Sequence, residues 1–159
     1  MTEPPILSAP LYRRLLVGTG GASHSLVAPQ RAARLAGQFG ATVDSVTVVP
    51  QGRRGLEKVA LAFAATGDLG ARTMQDDHLR LAEPLSRTAA DLRARGLNAE
   101  EHLVTALKPA DAVLQVAREV GADPILLSRR HTTAWSAALA GGVSDMVSHA
   151  SPVDVLVVR

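Results

Sequence analysis

The chain has 159 residues, and its 17 basic residues nearly balance its 15 acidic ones. This length predicts one domain with a sizeable core, and arginines scattered along the chain argue against a nucleic-acid partner, because phosphate neutralisation needs a concentrated basic patch. The absence of cysteine excludes disulfides and cysteine-ligated metals. No apolar run reaches spanning length and no signal-peptide pattern is present, so we expect a cytoplasmic protein that does not engage membranes. Residues 1–10 are expected to be a flexible lead-in and residues 11–159 a single domain.

The segment Arg13–Ser25, RRLLVGTGGASHS, predicts the opening strand–turn–helix unit of a parallel sheet. Its apolar run Leu15–Val17 does not alternate with polar residues, which is typical of a strand buried on both faces. A glycine-rich turn at 18–21 follows directly, and Ser23 and Ser25 offer caps to the next helix. Such a turn lies at the edge where open parallel sheets bind ligands.

The rest of the chain alternates between predicted strands and helices. Further strands are predicted at 43–49, 97–105, 125–127 and 153–158, the second of these at a sheet edge because of its charged residues. Three helices are predicted to end at Gly40, Gly96 and Gly121, and a fourth at 138–150. Pro84 is expected to kink or split the second helix. The alternation predicts a parallel sheet with helices on both faces.

Helical spacing of apolar side chains predicts which residues of each helix face the core. They are Leu26, Ala33, Ala36 and Gly37; then Met74, Leu79, Leu81, Leu85, Ala89 and Leu92; then Ala112, Val113, Val116, Ala117 and Val120; and finally Leu139, Val143, Met146 and Val147. Residues 51–70 give only a short candidate helix at 56–65.

Three stretches together resemble the universal stress protein family: YRRLLVGTGGASHS, KPADAVLQVAREVGADPILLS and LAGGVSDMVSHASPVDVLVVR. They match in order along nearly the whole chain, from Leu11 to Arg159. The resemblance implies a three-layer α/β fold of the adenine nucleotide alpha hydrolase-like type, with an open, five-stranded parallel sheet in the order 3-2-1-4-5. It also implies a homodimer that pairs through the last strand, with Val153, Val155 and Val157 at the interface. Many members of the family bind ATP or another adenine nucleotide between strands 1 and 4.

The glycine signature of the nucleotide-binding branch is altered in this chain. Its four positions fall at Ser128, His131, Gly141 and Gly142, so two glycines and the final hydroxyl are missing. Gly20 stands where that branch has an aspartate. Side chains at the two lost glycines crowd the approach of backbone amides to phosphate. The positions that the resemblance assigns to the cleft are Thr19, Gly20, Val48, Ser128, His131, Gly141, Gly142, Val143 and Ser144.

The altered signature favours a non-enzymatic stress-response protein that acts as a homodimer through protein contacts and does not bind ATP tightly. The alternative is an adenine-nucleotide sensor with ATP, ADP or AMP in the cleft. The third hypothesis is an enzyme such as a weak ATPase. It has the least support, because the sequence has no phosphate-binding loop of the Gly-x-x-x-x-Gly-Lys-Ser/Thr type. The glycines after the first strand are as well explained by a tight turn as by a role in ligand binding. Residues 129–131 are better explained as a solvated loop than as a phosphate site. No metal site is predicted, because no histidine pair has the spacing of metal ligands.

Overall fold

The computed structural model of the chain describes residues 9–19, 26–51, 74–129 and 142–159. Within these ranges the elements in chain order are β1 (Arg14–Gly18), α1 (Val27–Phe39), β2 (Thr42–Pro50), α2 (Met74–Ala94), β3 (Ala99–Ala106), α3 (Pro109–Val120), β4 (Pro124–Ser128), α4 (Val143–Ala150) and β5 (Asp154–Val158). Each predicted strand is present within about two residues of its predicted bounds. The first eight residues of the predicted lead-in, the candidate helix at 56–65 and the proposed caps Ser23 and Ser25 lie outside the described residues. Among the described helices, none has the length and apolar character needed to cross a bilayer.

The five strands form one parallel sheet in the order β3-β2-β1-β4-β5, which confirms the order implied by the family resemblance. The chain first builds outward from β1 to β3 and then returns to the other side of β1. Strands β1 and β4 are therefore neighbours at the point where the order reverses, and β3 and β5 are the two edges. In open α/β sheets a ligand cleft lies at this reversal, beyond the carboxyl ends of the strands.

The core has two layers because alternate residues of each strand point to opposite faces. Leu15 and Val17 belong to a buried cluster with α1 and the end of α2, whereas Leu16 belongs to a second cluster with α3 and α4. All three side chains are fully buried, as predicted for a strand covered on both faces. Helices therefore pack against both faces of β1, and the carboxyl end of this strand lies at the reversal of the sheet order.

The predicted inner faces of α1 and α2 need correction. In α1 the buried alanines are Ala28, Ala32 and Ala36, spaced four apart, whereas Leu26 and Gly37 are exposed and Ala33 is only partly buried. Leu26 precedes the first helical turn, so the helical stripe begins two residues later than its sequence pattern suggests. In α2 the predicted core residue Leu79 is 63% exposed, because the inward stripe runs through Leu81, Leu85, Ala89 and Leu92.

Two further expectations about the helices can be compared with the structure. Of the kink or split expected at Pro84, the split is absent, because the second helix continues as one element from Met74 to Ala94. The neighbouring residues Leu81 and Leu85 are both buried against the core, and this packing outweighs the one backbone hydrogen bond that a proline removes. In α4, Met146 is 47% exposed and Val147 alone is fully buried. The predicted helix ends at Gly40, Gly96 and Gly121 are confirmed, because all three glycines have a positive φ.

Candidate functional site

The candidate cleft lies beyond the carboxyl ends of β1, β2 and β4. Thr19 directly follows β1, Ser128 ends β4, and both strands are in register through Leu16 with Ile125 and Val17 with Leu126. Two predicted site residues from distant parts of the sequence therefore lie at the same carboxyl-terminal end of the sheet. Gly20, His131 and Gly141 lie outside the described residues, as do all of residues 130–141.

Thr19 and Thr47 form a closed pair of hydroxyls at the ends of β1 and β2. Their Oγ1 atoms are 2.6 Å apart, the Thr47 hydroxyl donates to the Thr19 carbonyl at 2.9 Å, and the Thr19 amide donates to the Val46 carbonyl at 2.8 Å. Each hydroxyl has one proton, and the acceptors in reach are the other hydroxyl and two backbone carbonyls. Both protons are thus used inside the protein, and neither is left to donate to a ligand. Both side chains are also buried.

Thr47 is a residue that sequence reasoning missed. It lies within a β-branched run that predicts a strand, and threonine is common in strands for reasons of packing alone. Its position next to the predicted residue Val48 was the available signal. Val48 itself is half-buried, and its side chain packs against the cluster shared by α3 and α4.

Gly18 shows how closely β1 packs against β4. A Cβ atom placed on Gly18 would lie 2.5 Å from Cδ2 of Leu127, so any side chain there would force that leucine to move. Gly18 has no positive φ. This glycine therefore serves the packing of the two strands, which differs from the tight turn that the sequence offered as the structural alternative.

Ser128 joins the end of β4 to the beginning of α1. Its Oγ atom accepts a hydrogen bond of 3.3 Å from the backbone amide of Ala28, in the first turn of the helix. The residue before that turn, Leu26, makes no side-chain cap. Ser128 thus satisfies one of the amides that a helix start leaves open, an amide of the type that glycine-rich cleft loops offer to phosphate.

Gly142 immediately precedes α4, and Val143 and Ser144 form its first turn. Gly142 is extended, its carbonyl accepts from the amides of Asp145 and Met146, and it provides no side-chain cap. The Asp145 carboxylate lies close by, with Oδ2 at 3.9 Å from the position a Cβ of Gly142 would take. A carboxylate stabilises a helix start, but its charge opposes the binding of an anion there.

A second cluster lies at the opposite, amino-terminal end of the sheet. Asp44 on β2 is completely buried, and Arg14 on β1 donates to both of its oxygens, from Nε at 2.6 Å and from Nη2 at 3.0 Å. His102 on β3 lies 2.8 Å from Oδ1 of Asp44, and Glu100 lies 3.6 Å from Arg14. Since an ionised carboxylate only accepts, Nε2 of His102 is the protonated nitrogen. We call this set of four residues the Asp44 cluster.

The electrostatics of the Asp44 cluster stabilise the charged form of Asp44. Burial by itself would raise the pKa of this carboxyl, but the hydrogen bonds and charges of Arg14 and His102 outweigh it and hold the pKa below its usual value. The same pairing raises the pKa of Arg14. Asp44, Glu100 and His102 also offer three ligand atoms within 4.8 Å of one another, the spacing of a metal site. Arg14 already neutralises Asp44 there, so we assign the cluster a structural role.

An open α/β sheet whose order reverses between β1 and β4 has the doubly wound architecture, in which ligands usually bind beyond that reversal. The sequence profile of the universal stress protein family matches residues 11–159. The chain therefore belongs to the universal stress protein family.

Comparison with solved structures agrees with this assignment. A universal stress protein in complex with cAMP is 25% identical, with a TM-score of 0.65, and the match covers 93% of this chain and 97% of that one. The universal stress protein from Archaeoglobus fulgidus in complex with dAMP is 22% identical, with a TM-score of 0.66 and coverage of 94% and 99%. Universal stress protein UspA from Lactobacillus plantarum is 16% identical, with a TM-score of 0.70 and coverage of 93% and 98%. No significant match was found among curated proteins.

Proposed function

We propose that this protein is a non-enzymatic, cytoplasmic stress-response protein that acts as a homodimer through protein contacts and binds ATP weakly. The observation that carries the proposal is the internal use of polar groups around the cleft. The Thr19 and Thr47 hydroxyls bond within the protein, and Ser128 occupies the Ala28 amide. Asp145 adds negative charge beside the start of α4, which disfavours a triphosphate.

A thermal-shift titration with ATP, ADP and AMP in the presence of Mg²⁺ tests weak binding. A ligand at about 100 times its dissociation constant stabilises a protein by about 2.7 kcal/mol, which raises the Tm of a chain of this size by roughly 5–11 °C. We expect no rise of that size at millimolar ATP. Adenine nucleotide that co-purifies at about one per chain, or a large rise in Tm, would contradict the proposal.

Two substitutions at one position separate the two ways in which Ser128 hinders a phosphate. Ser128→Ala removes the hydroxyl that occupies the Ala28 amide but keeps the Cβ atom, whereas Ser128→Gly removes both and restores a glycine of the family signature. We expect ATP to bind more tightly to the glycine variant than to the alanine variant. Equal and unchanged weak binding in both would show that Ser128 does not limit the site.

The homodimer proposal rests on the open edge of β5. The amide of Arg129 donates to the carbonyl of Val158, so Val158 directs its backbone groups toward β4. Because successive residues of a strand point in opposite directions, Val155 and Val157 direct their amides and carbonyls away from the sheet. Val157 is also 39% exposed, and Val153, just before the strand, is half-buried. No strand among the described residues pairs with the outer side of β5, and an apolar edge of this kind is suited to pairing with a second strand.

Proline substitutions at the two edges test which strand pairs. Val157→Pro removes an amide that points away from β4, so the sheet within one chain keeps its hydrogen bonds. Thr105→Pro is the matched control on β3, because the amide of Gln51 donates to Ala106 and Thr105 therefore faces outward at the other edge. We expect light scattering to give a dimer for the unmodified protein and the Thr105 variant, and a monomer for the Val157 variant. A folded Val157 variant that stays dimeric would place the interface elsewhere.

The adenine-nucleotide sensor is the second candidate function. It is favoured by the likeness to structures that are complexes with cAMP and dAMP, which carry one phosphate each. Calorimetric titration with AMP and cAMP distinguishes it from the first candidate, because saturable binding of a monophosphate, with weak binding of ATP, would favour the sensor.

A further inference from the structure

The outer surface of the domain has a groove between α3 and α4, which shares only the start of α4 with the cleft of the proposed function. The groove has a volume of about 460 Å³. Its apolar lining comes from Ala110, Leu114, Met146 and Ala150. The groove runs along the first half of α3 and the whole of α4, and eight helical residues span about 12 Å.

The charged groups of this groove have one sign. Asp111 in the first turn of α3 and Asp145 in the first turn of α4 are both exposed and contribute to its lining, together with His149. Within the part of the chain that the structure describes, no lysine or arginine lines the groove, although the whole chain has 17 basic residues and a net charge of +2. The Nδ1 atom of His149 lies 2.9 Å from the Asp145 carbonyl, which holds the imidazole against its own helix.

A carboxylate in the first turn of a helix stabilises that helix, and this explains why each aspartate is present. It does not explain why both carboxylates line the same apolar groove. Met146 is 47% exposed in the same groove, on a helix with only Val147 fully buried. An apolar floor with negative charge contributed by each wall is complementary to an amphipathic segment that carries positive charge.

We propose that the α3–α4 groove binds a cationic amphipathic segment of a partner protein, with an apolar side chain against Met146 and Leu114 and lysine or arginine beside Asp111 and Asp145. The segment needs only about two helical turns to fill the groove. The groove shares Asp145, in the first turn of α4, with the surroundings of the nucleotide cleft, so peptide binding is measured without nucleotide. None of the residues that line the groove belongs to β5.

Fluorescence anisotropy with a labelled model peptide tests the proposal. The peptide has leucines at helical spacing and lysines elsewhere, and a matched peptide has glutamates in place of the lysines. We expect saturable binding of the lysine peptide at physiological salt and none of the glutamate peptide. Asp111→Asn with Asp145→Asn should weaken binding about tenfold, since two charge pairs are lost. Met146→Gln should also weaken it, because the apolar floor is reduced.

The matched control removes two charges elsewhere, by Glu83→Gln with Glu119→Gln, both on exposed helix surface. It should change the dissociation constant less than twofold, and thermal melts should show that all variants are folded. Absence of saturable binding, equal binding of the two peptides, or equal weakening by both double variants would overturn the proposal. A change in molecular mass by light scattering for the groove variant alone would show instead that a second copy covers the groove, and would also overturn it.

Discussion

The Asp44 cluster permits a quantitative test of what holds the amino-terminal end of the sheet together. Replacing Arg14 with methionine keeps an aliphatic stem of similar reach but removes two hydrogen bonds and the charge that faces a fully buried carboxylate. Removing one partner of a buried ion pair costs about 3–5 kcal/mol, because the other charge stays buried without compensation. The Arg14 side chain is 33% exposed and His102 still bonds Asp44, so we expect the lower end, about 3 kcal/mol at pH 7.

Urea unfolding followed by circular dichroism measures this loss, and a thermal melt should show a fall in Tm of roughly 6–12 °C for a chain of this size. The matched control is Arg87→Met, which breaks an exposed pair with Glu83 and should cost less than about 0.5 kcal/mol. In a second variant Asp44→Leu is combined with Arg14→Met, so that both charges are removed. The double variant should be more stable than the single one, because no unpaired charge is left in the core.

Two outcomes would refute this reasoning. If Arg14→Met and Arg87→Met lost the same small amount, the burial of Asp44 would have no energetic consequence. If the double variant were the least stable of all, the buried charge would not be the cause of the loss. Either result would also remove the reason for assigning the Asp44 cluster a structural role.

Three further results are expected. The pKa of Asp44 is lowered in the folded state, so its contribution to stability is present above the unfolded pKa of about 3.9 and is lost as the pH falls toward the folded value. Asp44→Asn should therefore flatten the stability curve on its acid side, below the unfolded pKa, and an unchanged acid limb would contradict this. Gly121→Ala should lower the free energy of unfolding in urea by about 1 kcal/mol, because φ is +70° at this helix end. Its control, Gly37→Ala, lies in open space inside α1 and should be neutral or stabilising. Equal losses of stability in both variants would contradict this prediction. Gly18→Ala should destabilise by about 1–3 kcal/mol through the contact with Leu127, and an alanine variant as stable as the parent would show that Leu127 moves freely.

The strands could be predicted because their signals are local, whereas their order was predicted only through the family resemblance. Apolar runs and glycine helix ends indicated alternating strands and helices, the resemblance implied the order 3-2-1-4-5, and the structure has both. The helix faces were harder, since a shift of one or two residues in the helix start rotates the whole stripe. Leu26 is exposed for this reason, because it precedes the first turn of α1. Leu79 is exposed because it lies off the buried stripe of α2, which was itself predicted correctly.

The candidate cleft was predicted only as a set of positions, because its bonds connect residues far apart in the chain. The hydroxyl pair joins residues 28 apart, and the bond from Ser128 to Ala28 spans 100. The Asp44 cluster was missed for the same reason. In sequence, an aspartate within a β-branched run looks like an exposed polar residue, and only the sheet register brings it beside the side chains of β1 and β3.

The open edge of β5 has a consequence for selectivity. Outward amides and carbonyls are the same in every polypeptide, so the backbone of Val155 and Val157 accepts any extended strand equally well. Discrimination between a second copy and the last strand of a different family member must come from the side chains that flank this edge, Leu156 and Val158 toward α1 and Val155 toward α4. If the protein forms the homodimer proposed above, relatives with similar side chains at these positions would be able to exchange subunits with it in a cell that makes both.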